Sequence, residues 1–464
     1  MQKQTIFGPP GTGKTTTLLK ILTDILRTNV PRETAFVSYT RKGTYEGALR
    51  AKEELKLSDR ELIYFRTIHS ICFNYFGLHK DGMVSRDHYR LFSQKTGLNC
   101  LGYYTADFSA TDDEYLHVNS MYNHNLKLAE RLASNLDAEK LDFIRYEYSN
   151  MKQQLGIIDF DDLLMMYLAK GKPLPVKVAF IDEAQDLTPL QWKVVNKMFK
   201  NAEFVTVAGD DDQCLYEFSG ADVDLFLNFS DDHHVLHYSH RLPTEILKTA
   251  DNVVSRIQNR KHKDTQPNTD IGLVGISPNL YKTKLEGGEL ILARTNYQLR
   301  KLADVLYHRG FVFELKGKSS IDRMMIKAIS AYDKWQNGLC DKNELNRYKV
   351  FFTNIDRGLP WVSAVKLNDK MANYYESVIN TNAMNLEPIR LETFHSIKGG
   401  EADHVIISTE FSKRVSDEML INSDSELRCL YVAITRAKKS VIFLEAEGQH
   451  FYDPLLYTKR SASI

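Results

Sequence analysis

Gly8-Pro9-Pro10-Gly11-Thr12-Gly13-Lys14-Thr15 is a complete GxxxxGK[ST] loop. It constrains the fold more than any other stretch, because it needs a strand before it and a helix after it. Both flanks fit. Gln4-Thr5-Ile6-Phe7 is a short apolar run, and Thr16-Thr17-Leu18-Leu19-Lys20-Ile21-Leu22 carries apolar residues at helical spacing. Strand, glycine-rich turn and helix place backbone N–H groups and a helix N-terminus around phosphates. Gly8, Gly11, Thr12 and Gly13 form that cradle. Lys14 is expected to reach the β- and γ-phosphates of a nucleoside triphosphate, and the Thr15 hydroxyl to ligate Mg2+.

A second run supports the first. Val178-Ala179-Phe180-Ile181-Asp182-Glu183 is apolar and ends in two carboxylates. Asp182 is expected to hold Mg2+, directly or through water, and Glu183 to orient or deprotonate an attacking water.

Length, at 464 residues, suggests about three domains, or two large ones with insertions. The 43% apolar and 26% charged composition is that of a globular protein. Lys plus Arg and Asp plus Glu both number 60, so a nucleic-acid partner requires a local basic groove rather than a global charge. The cysteines (Cys72, Cys100, Cys214, Cys340, Cys429) include no CxxC pair, which disfavours a zinc site and fits a reducing cytoplasm. No apolar run reaches membrane-spanning length, and no signal peptide is expected ahead of a loop so near Met1.

Short apolar runs alternate with helical patterns, the signature of α/β layers. Strands are expected at residues 5–7, 34–39, 62–65, 178–181 and 204–208. A second series follows at 235–238, 289–293, 311–315, 390–393, 405–408 and 441–444. The stretch 75–156 is mostly polar-helical, and 337–388 has weaker periodicity. The expected organisation is therefore two α/β cores, residues 1–74 with 157–232 and residues 233–336 with 389–464. Each is interrupted once, by a helical insertion at 75–156 and a reduced one at 337–388.

Gly209-Asp210-Asp211-Asp212-Gln213-Cys214-Leu215-Tyr216-Glu217-Phe218-Ser219-Gly220-Ala221 resembles the third motif, GDxDQxIYxWRGA, of the UvrD/Rep/PcrA-type helicases of superfamily 1. Other motifs of that family follow in order. Val37-Ser38-Tyr39-Thr40-Arg41-Lys42 resembles xTFTNK, Thr67-Ile68-His69-Ser70 resembles TFHS, and Asp159-Phe160-Asp161-Asp162-Leu163-Leu164 matches DFDDLL. Asp182-Glu183-Ala184-Gln185-Asp186 resembles DExQD, and Tyr238-Ser239-His240-Arg241 stands where NYRS belongs. Leu292-Ala293-Arg294-Thr295-Asn296 resembles YRTN. Thr393-Phe394-His395-Ser396-Ile397-Lys398-Gly399-Gly400-Glu401 resembles TxHxxKGLE, and Tyr431-Val432-Ala433-Ile434-Thr435-Arg436-Ala437 is nearly YVAxTRA. The resemblance spans residues 8 to about 439.

The resemblance implies two RecA-like P-loop cores with parallel sheets, ATP with Mg2+, and single-stranded DNA or single-strand/duplex junctions as partner. It implies an ATP-dependent translocase and helicase moving 3′→5′. Arg241 and Arg436 would supply positive charge to the γ-phosphate from the second core, an effect typically worth about 10³–10⁵ in rate. Gln213 would sense the γ-phosphate, and Glu401 would accept from the ribose hydroxyl. Tyr39, Tyr216 and Phe218 would stack on bases. Thr40, Thr67, His69, Arg294, Thr393 and His395 would be their polar companions.

The chain departs from the family pattern in places. Only Met1–Gln4 precede the first strand, where the family has a helix with an adenine-reading Gln. Thr16 and His240 stand at the two positions that normally sandwich the base. Loose base discrimination is expected, and an ATP preference above about 100-fold in kcat/KM over GTP and CTP would contradict it. Ser219 replaces an Arg, Phe218 a Trp, and Arg41 an Asn. The short 337–388 stretch implies modest unwinding by a lone copy, with a loader or several copies required. Three other readings stand beside the leading one. They are a 5′→3′ member of the superfamily, a motor-like subunit of a recombination, replication or anti-phage defence complex, and an NTPase without nucleic acid.

Overall fold

The computed structural model describes residues 1–27, 30–38, 41–102 and 111–454. They fall into two compact units, Met1–Arg241 with Ile257–Asn268, and Leu242–Arg256 with Thr269–Ile464.

The first unit holds β1 (Gln2–Phe7), β2 (Thr34–Ser38), β3 (Val178–Asp182), β4 (Phe204–Gly209) and β5 (His233–Val235). They form one parallel sheet in the order β2-β3-β4-β1-β5. A parallel sheet is covered on both faces, so its strands read as unbroken apolar runs. All five residues of β2 and of β3 are buried. Period-two alternation divides them between two cores. Ala35, Val37, Ala179 and Ile181 join one cluster, with Trp192 and Phe226. Phe36, Val178 and Phe180 face the other, against Leu18, Leu19, Leu22 and Leu26 of the helix Lys14–Leu26.

Two expectations about strands are corrected. The run at 62–65 forms no named strand, only an isolated bridge between Phe36 and Phe65. The run expected at 235–238 to open the second series shares only Val235 with a strand, β5, which pairs with β1 at the edge of the first sheet. Three residues at a sheet edge carry no sequence signal for which sheet they extend.

Helices fill the interruption of this unit. Arg86–Thr96 and Ala138–Leu155 pack through Phe92, Ile144, Tyr148 and Met151. Both end on a left-handed glycine, Gly97 at φ 73° and Gly156 at φ 64°.

The second unit carries β6 (Leu273–Ser277), β7 (Leu290–Ala293), β8 (Phe313–Leu315), β9 (Lys318–Ser319), β10 (Ile389–Thr393), β11 (Ala402–Ser408) and β12 (Ala437–Leu444). Their order is β6-β12-β11-β7-β10-β8-β9, parallel except for the β8–β9 hairpin. The sequence reading missed β6, whose residues are at most half-buried at the sheet edge. Residues 337–388 do not make a core of their own. Leu345, Phe352, Val365, Tyr374 and Tyr375 share one cluster with Ile291 of β7 and Leu391 of β10. Tyr374 donates to the Phe311 carbonyl at 2.8 Å, and Tyr375 Oη accepts from the Asp322 amide at 2.7 Å.

Candidate functional site

In an open parallel sheet, ligands gather beyond the carboxyl ends of the strands. The loops after β1, β3 and β4 all leave the first sheet at that edge.

The loop after β1 turns through Gly11 at φ 76° and Gly13 at φ 78°, a region open to glycine at no steric cost. Close approach also demands glycine here. A Cβ on Gly8 would sit 2.0 Å from Lys14 Cγ, and one on Gly11 would sit 2.4 Å from Arg241 Cβ. Thr12 Oγ1 donates to the Pro9 carbonyl at 2.8 Å, and Lys14 Nζ to the Gly8 carbonyl at 2.6 Å. Thr16 lies in the first turn of the following helix.

Thr15 Oγ1 donates to Asp182 Oδ2 at 2.9 Å, which joins the loop to the end of β3. Burial, and then the charge of Glu183, push the Asp182 carboxyl up to about 6. Glu183 adopts φ 55°, uncommon for a residue with a side chain, and its amide donates to Asp182 Oδ1 at 3.0 Å. These groups fit Mg2+ and a triphosphate. Two hard oxygens meet beside a glycine cradle, and the buried Asp182 with the half-buried Glu183 gains from a cation between them.

A hydrogen-bonded chain runs on from Glu183. Gln185 Nε2 donates to Glu183 Oε2 at 2.8 Å, and Gln185 Oε1 accepts from the Asp210 amide at 3.2 Å. Gln213 Nε2 donates to Asp210 Oδ2 at 2.7 Å. Gly209 leaves room for this, since a Cβ there would stand 2.3 Å from Gln185 Oε1. The structure thus brings together Lys14, Thr15, Asp182, Glu183 and Gln213.

Arg241 was expected from the second core; its residues belong instead to the first unit. Ser239 Oγ donates to the Pro10 carbonyl at 2.7 Å and the His240 amide to the Gly11 carbonyl at 2.9 Å. The segment is stitched onto the phosphate loop because β5 ends just before it. The His240 ring meets Tyr238 edge-on at 4.9 Å.

The residues expected at single-stranded DNA in the first unit have the following surroundings. Thr67 caps the helix Ile68–Tyr75, accepting from the Ser70 amide at 3.3 Å. The His69 ring stands edge-on to Phe160 at 5.4 Å, and burial lowers its pKa to about 4. Tyr216 and Phe218 are half-buried with ring centroids 6.1 Å apart. The Phe218 carbonyl lies 3.0 Å from His117 Nε2. Tyr39 and Thr40 lie outside the described residues, as does the side chain of Arg41.

Five expected residues sit in the second unit. Arg294 is buried and grips Glu426 with two bonds of 2.8 and 2.7 Å. Arg436 is buried too, donating to the Val432 carbonyl at 2.9 Å and to Thr435 Oγ1 at 3.2 Å. Glu401 pairs with Lys438. Thr393 accepts from the Ser396 amide at 3.2 Å, and His395 Nε2 lies 3.5 Å from Cys429 Sγ.

Sequence reasoning gave no role to Lys263 and Arg260, which meet the carboxylates of Asp210–Asp212. The signal was present: three consecutive acids after an apolar strand need buried cations, and Arg260-Lys261-His262-Lys263 is the basic run that follows.

Fold and site together define a P-loop nucleotide-binding protein with two RecA-like α/β cores. The UvrD/REP helicase N-terminal domain matches residues 1–234, and the UvrD-like helicase C-terminal domain matches residues 388–444. The chain belongs to the UvrD/Rep/PcrA-type superfamily 1 helicases. Among curated relatives, the ATP-dependent DNA helicase PcrA of Bacillus subtilis is 28% identical over 224 residues, covering 40% of this chain and 30% of the relative. The ATP-dependent DNA helicase Rep of Buchnera aphidicola is 24% identical over 371 residues, covering 70% and 57%. PcrA of Staphylococcus epidermidis is 22% identical over 370 residues, covering 70% and 51%. The chain spans about half the length, or less, of these relatives. No helix among the described residues is long and apolar enough to cross a membrane.

Proposed function

We propose that this protein is an ATP-dependent DNA helicase and translocase that moves 3′→5′ on single-stranded DNA. The observation that carries the ATPase reading is the joined set at the strand ends: Thr15 on Asp182, and Glu183 bonded through Gln185 and Asp210 to Gln213.

Each residue has a defined task. The glycine cradle and Lys14 would bind the phosphates, and Thr15 with Asp182 would hold Mg2+. The metal, when bound, neutralises phosphate charge and polarises the bond to be cut. Glu183 accepts the proton of the attacking water as its oxygen bonds to the γ-phosphorus and ADP departs. Gln213 places its amide toward the γ-phosphate. Arg241, held to the loop through Ser239 and His240, supplies charge there, and Arg436 is assigned the same task. Glu401 takes the ribose hydroxyl. Tyr39, Tyr216 and Phe218 stack on bases, while Thr40, Thr67, His69, Arg294, Thr393 and His395 shape their surroundings.

Polarity rests on the form of the third motif. The shortness of the 337–388 stretch favours translocation over strong unwinding by one copy and keeps a loader or a larger motor complex as partner. The test is ATP turnover with and without poly-dT, then strand separation on 3′- and 5′-tailed duplexes. Stimulation by poly-dT and a 3′-tail preference are expected. Turnover without stimulation favours an NTPase free of nucleic acid, and a 5′-tail preference reverses the polarity.

A further inference from the structure

Asp210, Asp211 and Asp212 are consecutive and fully buried, immediately before Gln213. Carboxylates taken from water persist as anions only when paired and hydrogen-bonded. Their partners come from Ile257–Asn268. Lys263 Nζ lies 2.8 Å from Asp210 Oδ1 and 2.9 Å from Asp212 Oδ2, and it pairs with Asp211 as well. Arg260 grips Asp212 with bonds of 2.8 and 2.7 Å, and the Lys261 amide donates to Asp211 Oδ2 at 2.7 Å. Burial disfavours a charged Lys263, but the three carboxylates outweigh it and raise its pKa.

This cluster touches the hydrolytic groups at one remove. Asp210 gives one oxygen to Lys263 and the other to Gln213, and its amide bonds Gln185, which holds Glu183. The path of the chain adds a second observation. It leaves the first unit after Arg241, returns at Ile257, and leaves again after Asn268. Residues 257–268 are therefore tethered at both ends to the second unit.

We propose that Lys263 is a positioning residue for ATP hydrolysis. It fixes Asp210, and through Asp210 both Gln213 and the Gln185–Glu183 pair. The inference rests on the ATPase reading given above.

A cation needed only for folding would, on removal, lower thermal stability and nucleotide affinity together. A positioning cation acts on turnover. The experiment measures kcat and KM for ATP with poly-dT, binding of a fluorescent ATP analogue, and thermal melting, all in the full chain. Lys263→Met is expected to lower kcat by about 10- to 100-fold while KM and analogue affinity stay within about threefold, and Lys263→Arg to restore most of the loss. A folded Lys263→Met with wild-type kcat, or with only KM raised, overturns the proposal. If that variant does not fold, Lys263→Met/Asp211→Asn removes one charge of each sign and is judged in the same way. Arg260→Gln, on the more exposed side of the cluster, decides if neither folds: unchanged kcat overturns the proposal. A wild type without turnover overturns the ATPase reading and this inference with it. Wild-type turnover with an indifferent Lys263→Met overturns the inference alone.

Discussion

Each unit buries charge, and the two do so differently. In the second, Arg294 and Glu426 form a matched bidentate pair, closed by Tyr452 Oη at 2.9 Å. In the first, three adjacent aspartates share Lys263 and Arg260, and one of them continues into Gln213 and Gln185. A matched pair with its own hydroxyl partner ties the end of β7 to the helix Ser423–Ile434. A cluster whose carboxylate also serves a loop side chain links packing to chemistry. Similar burial thus has different consequences, set by what the carboxylates' remaining bonds reach.

The sharpest way to break this contrast is at the chemical end of the first network. Glu183→Gln is expected to lower kcat by about 10²–10⁴ and to leave ATP bound, read by single-turnover hydrolysis and nucleotide retention. Retained turnover would remove the water-activating role. Next comes the matched pair. Arg294→Met leaves Glu426 buried without its cation, and a stability loss of about 3–5 kcal/mol is expected in denaturant titration. A loss below about 1 kcal/mol would show that the pair is not closed in solution.

Acid sensitivity sharpens the comparison further. Burial depresses His69 and His117 to about 4 and His395 to about 3, with neighbouring Arg294 adding to the last. Depressed values mean the fold prefers neutral rings, while unfolded histidine titrates near about 6.5. The contribution of these histidines is therefore full above about pH 6.5 and falls as pH drops toward 4, by about 1.4 kcal/mol per pH unit for each, while Asp182, raised to about 6, works in the opposite sense. His395→Asn should flatten the profile between pH 6.5 and 4 by one histidine's share. An unchanged slope would mean that His395 does not titrate this way. The smallest expected effect is Phe218→Ala, which should spare basal ATPase and weaken single-strand binding by about 1–3 kcal/mol. Binding should also fall with salt at about −0.7 per neutralised phosphate on a log-log plot.

Much of the first unit was legible because local and long-range demands coincide there. The glycine loop announces its own strand and helix, and Asp182-Glu183 announces a strand end. Neighbouring parallel strands then bring both to one sheet edge. Legibility stopped where a partner lies far along the chain without a local requirement. The three residues of β5 extend whichever sheet offers an edge, so Ser239–Arg241 were assigned to the wrong unit. Lys263 stands about fifty residues from its aspartates. Arg294 and Arg436 match motif positions, but the motifs do not announce the bonds that hold them here, to Glu426 and to a main-chain carbonyl.

Glu183 holds a left-handed backbone at φ 55°. A side chain there costs about 1–2 kcal/mol that glycine would not. Selection for thermal stability and selection for turnover should therefore part company at this codon. A library sorted only by heat resistance should enrich glycine or asparagine at 183, and the survivors should be sturdier proteins that bind nucleotide and leave it whole.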